Sequence, residues 1–107
     1  MSDFPEADWK ILRSLSPVAQ ERFCKRVLEE VARLIADPSK GHHERYLAMF
    51  KLIRRRDNEF GDAFDDMRRS TAMMQLAHIR HHQLLAEEEF MRFSQETRDA
   101  VLSFLNL

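Results

Sequence analysis

Residues 43–67 read HERYLAMFKLIRRRDNEFGDAFDDM, and their apolar spacing decides the fold class. Tyr46, Phe50, Ile53, Phe60, Phe64 and Met67 recur at alternating intervals of three and four. That rhythm places them on one stripe of a long helix. Lys51, Arg54, Arg55 and Asp62 crowd the opposite face, and Gly61 is a point where the helix can bend. One position of the stripe holds Asp57. A carboxylate there must be ion-paired, protonated, or placed where the stripe leaves the core. The reading adopted is a structural polar node, with Asp57 buried against an arginine or tyrosine of another helix.

Just upstream, Asp37-Pro38-Ser39-Lys40-Gly41 is the plainest loop in the chain. A connection this short between two long helices implies an antiparallel hairpin. Ser16-Pro17 reads as the start of the preceding helix, a capping hydroxyl followed by proline at the first helical position. That helix is expected to reach about Ala36, with Phe23, Val27, Val31, Leu34 and Ile35 on one face and Cys24 bordering it as a small core residue. Glu21–Lys25, Lys25–Glu29, Arg26–Glu30 and Glu29–Arg33 are spaced as surface ion pairs, each contributing about 0.2–0.5 kcal/mol. Ahead of it, Asp3 to Leu15 reads as a separate short helix with Asp3 as cap and Trp9 as a partly buried anchor.

Downstream, Ser70 caps an expected helix from Thr71 to about His82, with Met73, Leu76 and Ile79 as its buried set. Leu84 to Phe90 reads as a turn into another helix. Glu87, Glu88 and Glu89 suit the positive end of its dipole, and Leu85 and Phe90 are spaced as a hydrophobic staple around Ala86. Ser94 caps a last helix that carries Val101, Leu102, Phe104 and Leu105.

The whole chain, residues 1–107, is therefore expected to be one all-α domain: a compact bundle of five to six helices built on a long antiparallel hairpin. Composition agrees. Hydrophobic residues make up 44% and charged residues 33%, which suits a folded helical protein; two glycines and three prolines leave little room for hairpins of strands. The net charge of −1 supplies no global field toward nucleic acid or an anionic membrane. A single cysteine permits no internal disulfide, and Met1 to Lys10 lacks an apolar signal core. No apolar run approaches the ~20 residues needed to span a bilayer. The expectation is a cytoplasmic protein of bacterial type.

The chemistry-bearing constellations are few. His78 and His82 share a helix face, with His81 beside them and His42-His43 elsewhere, but the chain has neither a His-Glu-x-x-His signature nor a cysteine pair. No metal or cofactor site is assigned. Arg54, Arg55, Arg56, Arg68 and Arg69 are the candidate nucleic-acid contacts. Asp57, Glu59, Asp62, Asp65 and Asp66 interleave with them and argue against that use. No phosphate-binding glycine loop, nucleophile elbow or dinucleotide fingerprint is present, so no catalytic residue is assigned. Met73 and Met74, which are adjacent and cannot both enter the core along one line, and the terminal Phe104 are the candidate partner-binding residues.

Several strings together resemble a group of small all-helical bacterial proteins without an established activity: Asp8-Trp9-Lys10, Glu21-Arg22-Phe23-Cys24, His43-Glu44-Arg45-Tyr46-Leu47-Ala48, Ala63-Phe64-Asp65-Asp66 with Arg68-Arg69-Ser70, and Phe93-Ser94-Gln95-Glu96-Thr97-Arg98. The resemblance implies a fold class and a cytoplasmic bacterial setting, and no functional residues. Leu76 to Phe93 also resembles short helix–turn–helix modules at the C-termini of unrelated bacterial proteins, with Gln83 where a glycine is common and Ala86 where threonine or serine is. The resulting expectation is a non-enzymatic protein-interaction or regulatory module. Its protein partner is unidentified, a homodimer being one form, and a nucleic-acid-associated protein is the alternative.

Overall fold

The structure, a computed structural model, describes residues 4–106. Its first helix, α1, runs unbroken from Glu6 to Ile35. Asp3, the expected cap, lies outside the described residues; Pro5 precedes the first turn, where Glu6 and Asp8 face the positive helix end.

The expected break at Ser16-Pro17 does not occur, and the expected short helix merges with the longer one that follows it. Proline inside a helix costs about 3 kcal/mol through a lost hydrogen bond and a ring clash. Here Leu12, Leu15, Ala19 and Phe23 are all buried in one core, two on each side of Pro17. Pro17 itself points to solvent. A break at Pro17 would turn half of that stripe away from the core, so burial outweighs the proline.

Asp37 accepts hydrogen bonds from the backbone N–H and hydroxyl of Ser39, at 3.0 and 2.7 Å, and so turns the chain. α2 follows from His42 to Phe64, ending before Met67. Arg45 donates to the Ile35 carbonyl, Arg56 to Glu30, and Phe60 meets Phe23 edge-on. Rising numbers on α2 meet falling numbers on α1, so the pair is the expected antiparallel hairpin.

The remaining helices are α3 (Ala72–His81), α4 (Glu87–Phe90) and α5 (Gln95–Leu105). Thr71, one residue later than expected, occupies the cap of α3; Ala72, Gln75, Leu76, Ala77 and Ile79 are buried. Ser94 caps α5 as expected, accepting from the Thr97 N–H. Residues from Phe4 to Phe23, from Ala63 and Phe64, and from α3 to Val101 form one core.

That core occupies one end of the hairpin. A 30-residue helix is about 45 Å long, whereas α3 and α5 are each about 15 Å. Between Leu28 and Ile53 only Leu52 is buried. The radius of gyration is 16.5 Å, against about 13 Å for a compact chain of this length. The expected compact bundle is thus a compact half with a projecting hairpin.

α3 ends in a Schellman motif. The Gln83 N–H donates to the Arg80 carbonyl and the Leu84 N–H to the Ile79 carbonyl, with Leu84 and Ile79 both buried. Gln83 has φ of 56°, where a side chain costs about 1–2 kcal/mol that glycine avoids. Gln83→Gly is expected to stabilise the protein by about 0.5–1 kcal/mol after the added unfolded-state freedom of glycine is offset. Thermal melting should register a rise of a few degrees; a fall would show that the Gln83 side chain holds the turn.

Candidate interaction surface

The stripe on α2 has two fates. Near the C-terminus, Phe60 and Phe64 pack against Phe23, with ring centroids 5.8 and 6.3 Å away, and join the core. Toward the N-terminus no described helix packs over the stripe, which is left about half open: Tyr46 is 58% exposed, Phe50 50% and Ile53 42%. Leu28 and Ile35 of α1 are equally open. Leu28, Cys24 and Val27 from α1 and Ile53, Asp57 and Phe60 from α2 line a single open groove of about 230 Å³. An uncovered run of large apolar side chains on one helical pair makes this face the candidate interaction surface.

Asp57 stands on the rim of that groove, exposed. Among the described residues it makes no hydrogen bond and no ion pair, so the expected buried node is corrected: Asp57 marks the place where the stripe leaves the core. Cys24 is likewise exposed rather than a core residue.

The node expected at Asp57 exists at Asp8, which is 2% exposed. Its carboxylate accepts from the Ser94 N–H at 2.9 Å, the Ser94 hydroxyl at 2.7 Å and the Thr97 hydroxyl at 2.6 Å. Burial pushes the Asp8 carboxyl up, but hydrogen bonds from Thr97 and Ser94 together hold it below its ordinary value.

Two arginines of the nucleic-acid set, Arg56 and Arg69, are committed within the fold. Arg56 holds Glu30 through two hydrogen bonds of 2.9 Å and Glu59 through one of 2.8 Å, which braces the hairpin and raises its own pKa. Arg68 pairs with Asp66, and Arg69 donates twice to the Phe4 carbonyl. Arg54 lies 5.9 Å from the centre of the Phe50 ring. Arg55 is exposed, and its charge helps hold the Glu30 carboxyl down after the larger effect of Arg56. The five arginines do not form one basic face.

Of the expected surface pairs on α1, Arg26–Glu30 is replaced: Glu30 takes Arg56 and Arg26 turns to another partner, beside Arg22. Arg22 grips Glu89 at 2.7 and 3.0 Å and donates to the Leu84 carbonyl. Arg26, one turn on, donates to the carbonyls of His82 and Gln83, both at 2.6 Å. Together they clamp the Schellman turn to the middle of α1. Spacing alone suggested Arg26–Glu30; only the tertiary fold reveals the clamp.

Of the expected partner-binding residues, Met73 and Phe104 are half-buried and pack against the core, while Met74 is 52% exposed. His82 sits edge-on to Phe23 at 5.9 Å, where burial lowers its pKa. Among the described residues no three potential metal-ligating side chains come together. No described helix is long and apolar enough to cross a membrane. No family model, curated protein or solved structure matches the chain.

Proposed function

We propose that this protein is a non-enzymatic protein-interaction module whose docking element is the free half of the α1–α2 hairpin. The observation that carries this reading is the stripe Tyr46, Phe50 and Ile53, which leaves the core and stays uncovered beside Leu28 and Ile35. Full burial of such a side chain stabilises by about 1.5–3 kcal/mol, and because each is already about half covered, leaving it open forgoes roughly half of that. A partner recovers that energy. The contact therefore lies on the hairpin rather than at Met73, Met74 and Phe104. The nucleic-acid alternative is the weaker reading, since Arg56 and Arg69 are engaged within the fold and Arg68 is paired with Asp66.

Affinity capture from lysate of the source organism, with and without nuclease, tests the reading. One stoichiometric protein partner is expected to survive nuclease and to be lost with Phe50→Glu, whose side chain starts half exposed and whose melting temperature should stay within a few degrees of wild type. A partner set that vanishes with nuclease and ignores Phe50→Glu would overturn it.

A further inference from the structure

Resting on the hairpin as docking element, we propose that this face pairs with a second copy of the same chain, antiparallel, about a twofold axis crossing α2 between Phe50 and Ile53. The uncovered stripe has four positions, Tyr46, Phe50, Ile53 and Asp57, at intervals of four, three and four. That interval pattern is a palindrome. Turned end for end, it lays Phe50 on the partner subunit's Ile53 and Tyr46 on the partner subunit's Asp57.

The polar ends of the stripe select this occupant. Tyr46 carries a hydroxyl that, among the described residues, makes no hydrogen bond, and Asp57 carries a carboxylate that accepts none. Antiparallel pairing joins donor to acceptor at both ends of the interface. Parallel pairing would set the two Asp57 carboxylates together, which like charges oppose. An unrelated apolar helix would cover Asp57 without a partner and pay its desolvation. Self-pairing by this register satisfies each end with a group already present.

The dimensions agree. The hairpin loop bounds the stripe at one end and Phe23 covers it at the other, leaving a segment of about 17 Å along α2. Leu28 and Ile35 flank it from α1, so two hairpins would close into a four-helix bundle. These exposed side chains offer on the order of 500 Å² of apolar surface per copy, a large share of the ~800 Å² each partner buries in a standard interface. A net charge of −1 opposes association little.

Sedimentation equilibrium of the full chain under reducing conditions, from micromolar to millimolar, is the first measurement. A dimer is expected, with Phe50→Glu returning monomer at unchanged far-UV circular dichroism. Tyr46→Phe should weaken the dimer about 5- to 100-fold by leaving a covered carboxylate without its donor, and adding Asp57→Leu should restore it. Orientation is read from spin labels at position 43 in a Cys24→Ser background. Antiparallel pairing separates them by about 25 Å along the helix axis, whereas parallel pairing leaves only the ~10 Å between axes. A wild-type monomer at all concentrations, a dimer indifferent to Phe50→Glu, or a short label distance would each overturn the proposal. A monomeric wild type whose captured protein partner is still lost with Phe50→Glu would reject self-pairing while leaving the interaction module standing.

Discussion

Asp8→Ala is expected to destabilise the protein by about 3–4 kcal/mol, a large fraction of the ~5–15 kcal/mol that holds a domain of this size together. The substitution removes one carboxylate that takes three hydrogen bonds from Ser94 and Thr97. Hydrogen bonds to a charged group contribute about 1.5–3 kcal/mol each, though not additively when one group makes all three. It also strands the donors, because Thr97 is 3% exposed and no water reaches its hydroxyl easily. Asp8 links positions 86 and 89 residues away, so it ties the start of α1 to the start of α5. The loss should therefore be local first. Amide exchange in α5 is expected to accelerate well before exchange in the α1–α2 hairpin, and Asp8→Asn, which keeps one acceptor oxygen, should lose about half as much stability. Uniform loss across all helices would show that Asp8 acts on the whole core instead. The sign with pH follows from the depressed carboxyl. Its contribution is complete above the unfolded value and is lost as pH falls through the lower folded one.

Asp8 and Asp57 together show how far the chain could be read before folding. The rule that a carboxylate within an apolar stripe needs a partner is sound, and it applies to Asp8. Phe4 and Leu12 lie four residues to either side, and all three are buried. The same signal at Asp57 misleads, because periodicity reports which residues share a face and not whether anything covers it. Coverage depends on length. α3 and α5, each about 15 Å, meet only one end of a 45 Å hairpin, which is why Phe60 is packed and Tyr46 is not.

Local signals succeeded where the chemistry was local. The Asp37–Ser39 turn and the Ser94 cap both rest on side chains within three residues of the backbone they satisfy. Ser16-Pro17 failed as a helix start because the stripe Leu12, Leu15, Ala19, Phe23 crosses it at intervals of three and four. That continuity was present in the sequence and outranks the proline. The Arg22–Arg26 clamp had no such signal: its acceptors are backbone carbonyls of a turn some sixty residues away, exposed only once α3 ends at His81.

Glu89→Gln is expected to cost about 2–3 kcal/mol at neutral pH and almost nothing at pH 2. Glu89 receives both Arg22 nitrogens and the Ala86 N–H at 2.7 Å. The Arg22 hydrogen bonds, and then the Ala86 N–H, hold its carboxyl at about 2, far below the ordinary value of 4.5. A folded value below the unfolded one means that stability is full above about pH 4.5 and drains away as pH falls toward 2. A shift of that size is worth at most about 3 kcal/mol; the Arg22 side chain is 38% exposed, so solvent screening holds the expected figure to the lower end. Chemical denaturation of both forms across this range should give stability curves that lie apart at pH 7 and converge near pH 2. Curves that stay parallel would mean that the carboxylate charge does not hold this joint. The site matters beyond its own energy. Arg22 and Glu89 fasten the turn between α3 and α4 to the middle of α1, where the core ends and the free hairpin begins. Loosening that joint should free the α3–α4 turn and α4 while leaving Tyr46, Phe50 and Ile53 untouched. Acid would then unseat α4 before it alters the face that the hairpin presents.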